Sequence, residues 1–345
     1  MIILPLECYY IIFNNLQYNY KNLYSCALVN RQWCRIIIPI LWRDPKNHFK
    51  NLKLIKIFLL TLNVKEQSLL IPFKITLPNH PKPLFEYTNY ITSVNNDLYD
   101  GVRNWLYYKR YKPTEYILEN NLENAVKCSL ISMFLRTGKN LKYLSLNEII
   151  CNQIIFENLY ENTTVTSIHL DNICGDFKYK TLDVLVKILQ KNSTLTSLNL
   201  EFYLLDFEGV KTLLEALYKN TVLNSLNLCK NQISNKEVEA LAKFLYGNTT
   251  LTNLDLANNY IRSEGGIALA DALYKNTTLT YLGLAEGGEA LANALCKNTT
   301  ITSLDLEYNE LELEGGKALA DALCKNITLT SLNLASNNLG KEEKH

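Results

Sequence analysis

The residues of this chain best equipped for chemistry are four histidines, nine cysteines and 34 carboxylates, and their spacing limits what they can do. His48, His80, His169 and His345 stand far apart, and none has a second histidine or a cysteine at metal-ligand spacing. The cysteines run from Cys8 to Cys324 without one Cys-x-x-Cys pair, which reads as reduced, buried thiols rather than a disulfide framework. Cys296 and Cys324 are 28 residues apart because they occupy a repeated position held elsewhere by Tyr218, Tyr246 and Tyr274, so they are expected in the core. Glu-Gly-Gly recurs at 264–266, 286–288 and 314–316 without the lysine and hydroxyl residue of a phosphate loop. No nucleophile, base and orienting acid can be grouped from spacing alone. The chain is therefore expected not to be an enzyme and to use neither metal nor cofactor. Its formal net charge is +1, from 35 basic and 34 acidic residues, which gives no overall attraction to nucleic acid or anionic lipid.

The elements that would position such residues come from a repeat. The pattern L-x-x-L-x-L starts at Leu141, Val165, Leu195, Leu223, Leu251, Leu279, Ile301 and Leu329, with spacings of 24, 30, 28, 28, 28, 22 and 28. A polar turn, a helical segment such as 316–323 and a Lys-Asn-x-Thr turn follow the clearest copies. Alternation from Leu198 onward predicts a short strand with its leucines inward, and the Leu/Ala stripe of each helix packs on it. Ser234 and Glu237 have capping-box spacing at one helix start. One unit cannot bury its own apolar face, so neighbours must stack. Asn231, Asn259, Asn309 and Asn337 share a turn position where a buried amide would bond the adjoining backbone; Ile149, Ile173 and Tyr203 hold it in earlier units.

From about Leu141 to Gly340 this pattern resembles the ribonuclease-inhibitor class of leucine-rich repeats. The resemblance implies an α/β solenoid: a horseshoe with a parallel concave sheet and outer helices. Residues 141–345 hold about eight repeats, the sixth six residues short and the last incomplete, its strand expected to fray or be covered. In such horseshoes the outward strand positions form the binding surface, here including His169, Asp171, Asn199, Glu201, Asn227, Asp255, Tyr281, Asp305, Glu307 and Asn333. These positions carry five carboxylates and no lysine or arginine, which suits a polar or basic protein and disfavours a phosphate backbone. The alternative is that they are merely solvated strand residues.

Residues 1–45 follow another rule. Helical patterns run over roughly 5–16, 20–30 and 32–41, and Ile12, Leu16, Leu23, Leu28, Val29 and Trp33 suffice for a small helical knot, marginal on its own. Leu4-Pro5-Leu6-Glu7-Cys8 with Ile12, Phe13 and Leu16, then Leu23 to Cys34, then Pro39 to Pro45, resemble in order the signature of the F-box family. That resemblance implies a docking module for a Skp-type adaptor, which bridges to a cullin and a RING subunit. It assigns the docking face to Leu4, Pro5, Ile12, Leu16, Leu23, Cys26, Val29, Leu41 and Trp42. Some of these, Ile12, Val29 and Trp33 above all, could instead be the module's own core, and the module could be a mere cap on the solenoid.

Residues 46–140 are expected to form a mostly helical linking region, with apolar helical runs at 52–62 and 125–135 around a stretch holding Pro72, Pro78, Pro81 and Pro83. Lys109-Arg110-Tyr111-Lys112 reads as a solvated helix end. Glu7 interrupts the apolar start, no basic residue precedes Lys21, and no segment nears the roughly 20 apolar residues of a membrane span. Asn-x-Ser/Thr triplets at Asn162, Asn192, Asn248, Asn276, Asn298 and Asn326 all fall in one repeated turn and read as turn chemistry. The chain is thus expected to be cytoplasmic or nuclear: the substrate-recognition adaptor of a Skp-cullin-F-box ubiquitin ligase, with a protein substrate on the repeats. Two alternatives are a repeat scaffold or inhibitor with no ubiquitin role, and a secreted recognition protein in which those triplets carry glycans.

Overall fold

The structure is a computed structural model that describes residues 4–45, 48–83, 85–111, 116–147, 152–170, 173, 177–284, 288–309 and 311–339. Two compact units divide it, Met1–Val165 and Thr166–His345.

The first unit opens with α1 (Leu6–Asn15), α2 (Tyr20–Ala27) and α3 (Arg31–Leu41). Asn19 and Asn30 cap α2 and α3 by accepting the N–H groups of Asn22 and Trp33. Phe13, Leu23, Ala27, Ile36, Ile37 and Ile40 make the core of this three-helix module, with Tyr9, Leu16, Cys26, Trp33 and Leu41 packed against it. Then come α4 (Leu52–Leu59), α5 (Val64–Ser68), β1 (Ser93–Val94), α6 (Asp97–Tyr108), α7 (Tyr116–Thr137), β2 (Tyr143–Leu146) and α8 (Gln153–Glu161). The carbonyl of Arg43 accepts from Thr92, which leads straight into β1, and β1 pairs in parallel with β2. Phe49, Phe58 and Phe134 interlock edge-on beneath, and Trp42 stacks on Tyr87 at 4.1 Å. A Cβ on Gly101 would lie 2.0 Å from the Phe49 carbonyl oxygen, so only glycine lets α6 approach there. Glu66, nearly buried, closes a capping box with Asn63 and holds the Arg136 guanidinium with both oxygens.

The second unit is an α/β solenoid. Strands β3 (Ser167–Leu170), β4 (Ser197–Asn199), β5 (Ser225–Asn227), β6 (Asn253–Leu256), β7 (Tyr281–Leu284), β8 (Ser303–Asp305) and β9 (Ser331–Asn333) pair in parallel in chain order. Between them run α9 (Phe177–Lys191), α10 (Phe207–Leu217), α11 (Asn235–Gly247), α12 (Ser263–Leu273), α13 (Gly288–Leu295) and α14 (Glu312–Leu323). Ile168, Leu198, Leu226, Leu254, Leu282 and Leu304 form one continuous buried row. In the last repeat Leu329, Leu332 and Leu334 are only half-buried, where their counterparts Ile301, Leu304 and Leu306 are buried. The shortened sixth repeat has the eight-residue α13 against eleven residues in α12. Its turn at 285–287, like Ile149, lies outside the described residues.

Two asparagine ladders stitch the turns together. Asn259 accepts from the N–H groups of Asn231 and Ile233 and donates to the carbonyls of Leu228 and Leu256. Asn231, Asn309 and Asn337 repeat the arrangement in part, each donating to a carbonyl of the preceding repeat. Tyr203 fills this position one repeat earlier and sends its hydroxyl to the Lys178 carbonyl, whereas Ile173 simply buries itself. The second ladder is the repeated Asn-x-Thr turn. Asn276 and Asn298 accept two backbone N–H groups each and donate to Leu245 and Leu273 of the repeat before. Both amides are buried, so a glycan on either would cost that bond and its cover.

The position of Tyr218, Tyr246, Tyr274, Cys296 and Cys324 corrects the sequence reading. All three tyrosines and Cys324 are exposed, and Cys296 is half-exposed, because the position falls at or just past the last turn of its helix, on the side toward water. Among the described residues every cysteine is a free thiol, and burial pushes that of Cys128 up to about 12. Among them, too, no helix is long and apolar enough to cross a membrane, and no group of His, Cys, Asp and Glu could hold a metal.

Candidate functional site

Two surfaces collect the candidate residues, one in each unit. On the three-helix module, Leu4, Pro5, Ile12 and Val29 are exposed, Val29 at 60%. Ile12 and Val29 are therefore not core, whereas Trp33 is half-buried against it, edge-on to Phe13 at 5.0 Å. Leu16, Cys26 and Leu41 sit half-buried against the core and show one side only. Leu23 is a correction: at 0% exposure it lies wholly inside the module, stacked one turn from Ala27, and offers nothing to a partner. Trp42 is half-buried, held by Tyr87 on one face and edge-on to Phe58.

Sequence reasoning missed Leu6, Tyr10, Ile11, Tyr24 and Leu28, all exposed, Ile11 at 64% and Leu28 at 69%. With Leu4, Ile12 and Val29 they give a module of some forty residues an apolar exterior as well as an apolar core. Water makes such a surface costly, by roughly 25 cal/mol per Å² left uncovered, and exposed apolar patches of this kind are characteristic of interaction sites. The signal was present in α1: Tyr9 and Phe13, four apart, face in, so Ile11 and Ile12 cannot both do so.

In the solenoid unit, Asn199, Asn227, Asp255, Asp305 and Asn333 each accept the backbone N–H two residues on, from Glu201, Cys229, Ala257, Glu307 and Ala335. These side chains therefore build the turns that end the strands, whatever else they touch. His169 is half-buried and has bonding partners, and Asp171 lies outside the described residues. Glu201 is ion-paired with Lys230 at 2.8 Å. Tyr281 is half-buried, and burial, then the nearby Asp255 and Asp305 charges, pushes its hydroxyl up to about 12. Gly283 makes room for this group: a Cβ there would lie 2.6 Å from Asp255 Oδ1 and 3.2 Å from the Tyr281 hydroxyl. Beside them, Phe202, Lys230, Tyr260 and Tyr308 line a hollow of about 460 Å³.

Burial, opposed by the Ala257 N–H, holds the Asp255 carboxyl above the ordinary aspartate range. A carboxylate whose folded pKa is raised destabilises the fold once ionised, so this cost is present above the folded pKa and vanishes below the unfolded one. Asn fills the same turn at 199, 227 and 333 and accepts the same N–H. Asp255→Asn is therefore expected to raise the melting temperature at neutral pH. The gain should fade as pH falls through the raised folded value toward the ordinary aspartate range. Thermal melts of both proteins at several pH values check it, and a gain that persists in acid would refute the burial argument.

Comparison with known proteins finds one family model in each unit. Residues 1–48 match the F-box-like family model, and 247–270, 297–320 and 325–342 match a leucine-rich-repeat model. The chain carries an F-box-like module at residues 1–48 and leucine-rich repeats in its C-terminal part. Solved structures similar to it include the leucine-rich-repeat-containing protein LegL7 from Legionella pneumophila, 23% identical, covering 61% of this chain and 71% of that one at a TM-score of 0.43. The actin-binding site 2 of leiomodin-1 is 24% identical and covers 42% of this chain and 88% of its own, with a TM-score of 0.37. The tropomodulin C-terminal domain of Caenorhabditis elegans is 15% identical over 42% of this chain and 92% of its own, with a TM-score of 0.36. No curated protein matches the chain. F-box modules and leucine-rich repeats together are typical of non-catalytic adaptors.

Proposed function

We propose that this F-box and repeat protein is the substrate-recognition subunit of a Skp-cullin-F-box ubiquitin ligase. The observation that carries the reading is the apolar exterior of the three-helix module. Its core is complete with Phe13, Leu23, Ile36, Ile37 and Ile40, so Leu4, Ile11, Ile12, Leu28 and Val29 remain for a partner. F-box modules generally bind Skp-type adaptors, and such an adaptor covers this face, placing the cullin and RING subunits behind it. The solenoid holds a protein substrate by the polar, acid-rich outward positions of β4 to β9. Catalysis is then proximity: a substrate lysine is brought to a charged ubiquitin carrier that other subunits supply. A repeat scaffold without ubiquitin chemistry would leave the exterior of the module without a task.

The test is co-purification of the chain with a Skp-type adaptor, beside the double variant Leu4→Ala/Pro5→Ala. A stoichiometric complex with the wild type, weakened in the variant, is expected. A folded chain that captures no adaptor would end the ligase reading and leave the repeats as a scaffold.

A further inference from the structure

The solenoid builds one side-chain arrangement twice and fills it once. Glu201 and Phe202 leave β4 as Glu307 and Tyr308 leave β8. The Phe202 N–H donates to the Cys229 carbonyl at 3.2 Å, and the Tyr308 N–H to the Ala335 carbonyl at 3.1 Å. The residue that follows in the next repeat, Lys230 or Ser336, is thereby carried to the same place. All four are left-handed, with φ of 57° at Phe202 and Lys230 and 59° at Tyr308 and Ser336. For a bulky aromatic residue that conformation costs on the order of 1 kcal/mol, which Asn258, at the equivalent position between them, largely avoids.

In the first copy the Lys230 ammonium lies 2.8 Å from Glu201 Oε1 and 4.7 Å from the centre of the Phe202 ring. Carboxylate and aromatic face together make a cation cradle, and the chain supplies its own cation. In the second copy the carboxylate and the ring are present, but Ser336 brings no charge. The cradle is also more acidic, because Asp305 stands where the first copy has Asn199. Asn333 donates to both acids, to Asp305 Oδ1 at 3.0 Å and Glu307 Oε2 at 3.2 Å, and Asp305 Oδ1 also accepts the Glu307 N–H at 3.0 Å. No lysine or arginine pairs with either acid among the described residues, and the Tyr308 ring is 58% exposed.

We infer that Glu307, Tyr308 and Asp305 form a cradle for the lysine or arginine side chain of a bound protein, seated as Lys230 is seated on Glu201 and Phe202. The inference rests on the reading that the repeats hold a protein, and it narrows that protein to one presenting a basic side chain at the β8 turn. The Ser336→Lys variant fills the cradle from within and closes it to a partner.

Saturation-transfer NMR on the full chain alone tests it, with acetyl-lysine methylamide and acetyl-arginine methylamide as probes and acetyl-norleucine methylamide as the neutral control. The basic probes are expected to receive magnetisation and the neutral one not. The signal should fall roughly three- to tenfold in Glu307→Gln and in Ser336→Lys, and persist in Glu264→Gln, which removes an acid at the start of α12. Ser336→Lys should also melt higher than Ser336→Ala. Equal signals from all three probes, or a basic-probe signal untouched by Glu307→Gln, would overturn the cradle. Because no adaptor is present, failure to bind a Skp-type protein would leave this result standing.

Discussion

Asn259→Ala is expected to destabilise the solenoid unit by roughly 3–5 kcal/mol, among the largest effects open to any polar residue in it. The asparagine is 4% exposed and answers two donors and two acceptors of the buried backbone: Asn231 N–H, Ile233 N–H, Leu228 C=O and Leu256 C=O. Alanine leaves all four without a partner, at about 1–3 kcal/mol each before water or relaxation relieves some of them. Since repeats contact only their neighbours, the damage concentrates at the junction of α11 and α12 rather than spreading evenly. Asn259→Asp sharpens the test. It keeps size and acceptors but removes the amide hydrogens that reach Leu228 and Leu256, and it buries a charge, so it should be at least as harmful as alanine. Asn253→Ala, at an exposed strand position, should change stability by no more than about 0.5 kcal/mol. Urea melts give the totals, and hydrogen exchange should show faster opening of α11 and α12. A chain that tolerates Asn259→Asp would show that the ladder does not hold the turns.

That ladder was legible in the sequence because one requirement recurs every 28 residues, and asparagine offers an acceptor oxygen and a separate two-hydrogen donor on one short side chain. The same periodicity set the strand register from Ser167 to Ser331 and placed the helices between. It misled where a position recurs for another reason. Tyr218, Tyr246 and Tyr274 repeat because they lie at or beside a helix C-terminus, where a side chain points outward as readily as inward. Ser93–Val94 could not be read at all: two residues hold no alternation, and β1 exists because Arg43 and β2 offer it partners. In the three-helix module the resemblance supplied which residues belong to the signature but not which way they face. Leu23 and Tyr24 are neighbours in sequence, yet one is sealed in the core and the other is exposed, a distinction only the packing of α2 on α3 makes. Half of the candidate residues of the solenoid proved to be turn-builders first, so the acids that do not brace a turn, Glu201 and Glu307, carry the clearest functional signal.

The proposed docking face allows binding to be separated from folding. Ile12→Glu/Val29→Glu should leave the free chain folded, because both side chains already stand in water and such surface changes usually shift stability by less than about 0.5 kcal/mol each. In a complex with a Skp-type adaptor the same carboxylates would be stripped of water against an apolar partner. Even a combined penalty of about 4 kcal/mol weakens binding roughly a thousandfold. Phe13→Ala acts from the opposite side. Phe13 is buried beneath Tyr9 and Trp33, and removing its ring should cost about 3–5 kcal/mol in a module with little stability to lose. It should therefore lose the adaptor together with helical signal near 222 nm, a wavelength at which the double glutamate variant should match the wild type. Affinity measured with purified adaptor, read beside circular dichroism, distinguishes the two routes. If Ile12→Glu/Val29→Glu binds as the wild type does, the exposed apolar face serves some other contact and the module's docking surface must be sought elsewhere.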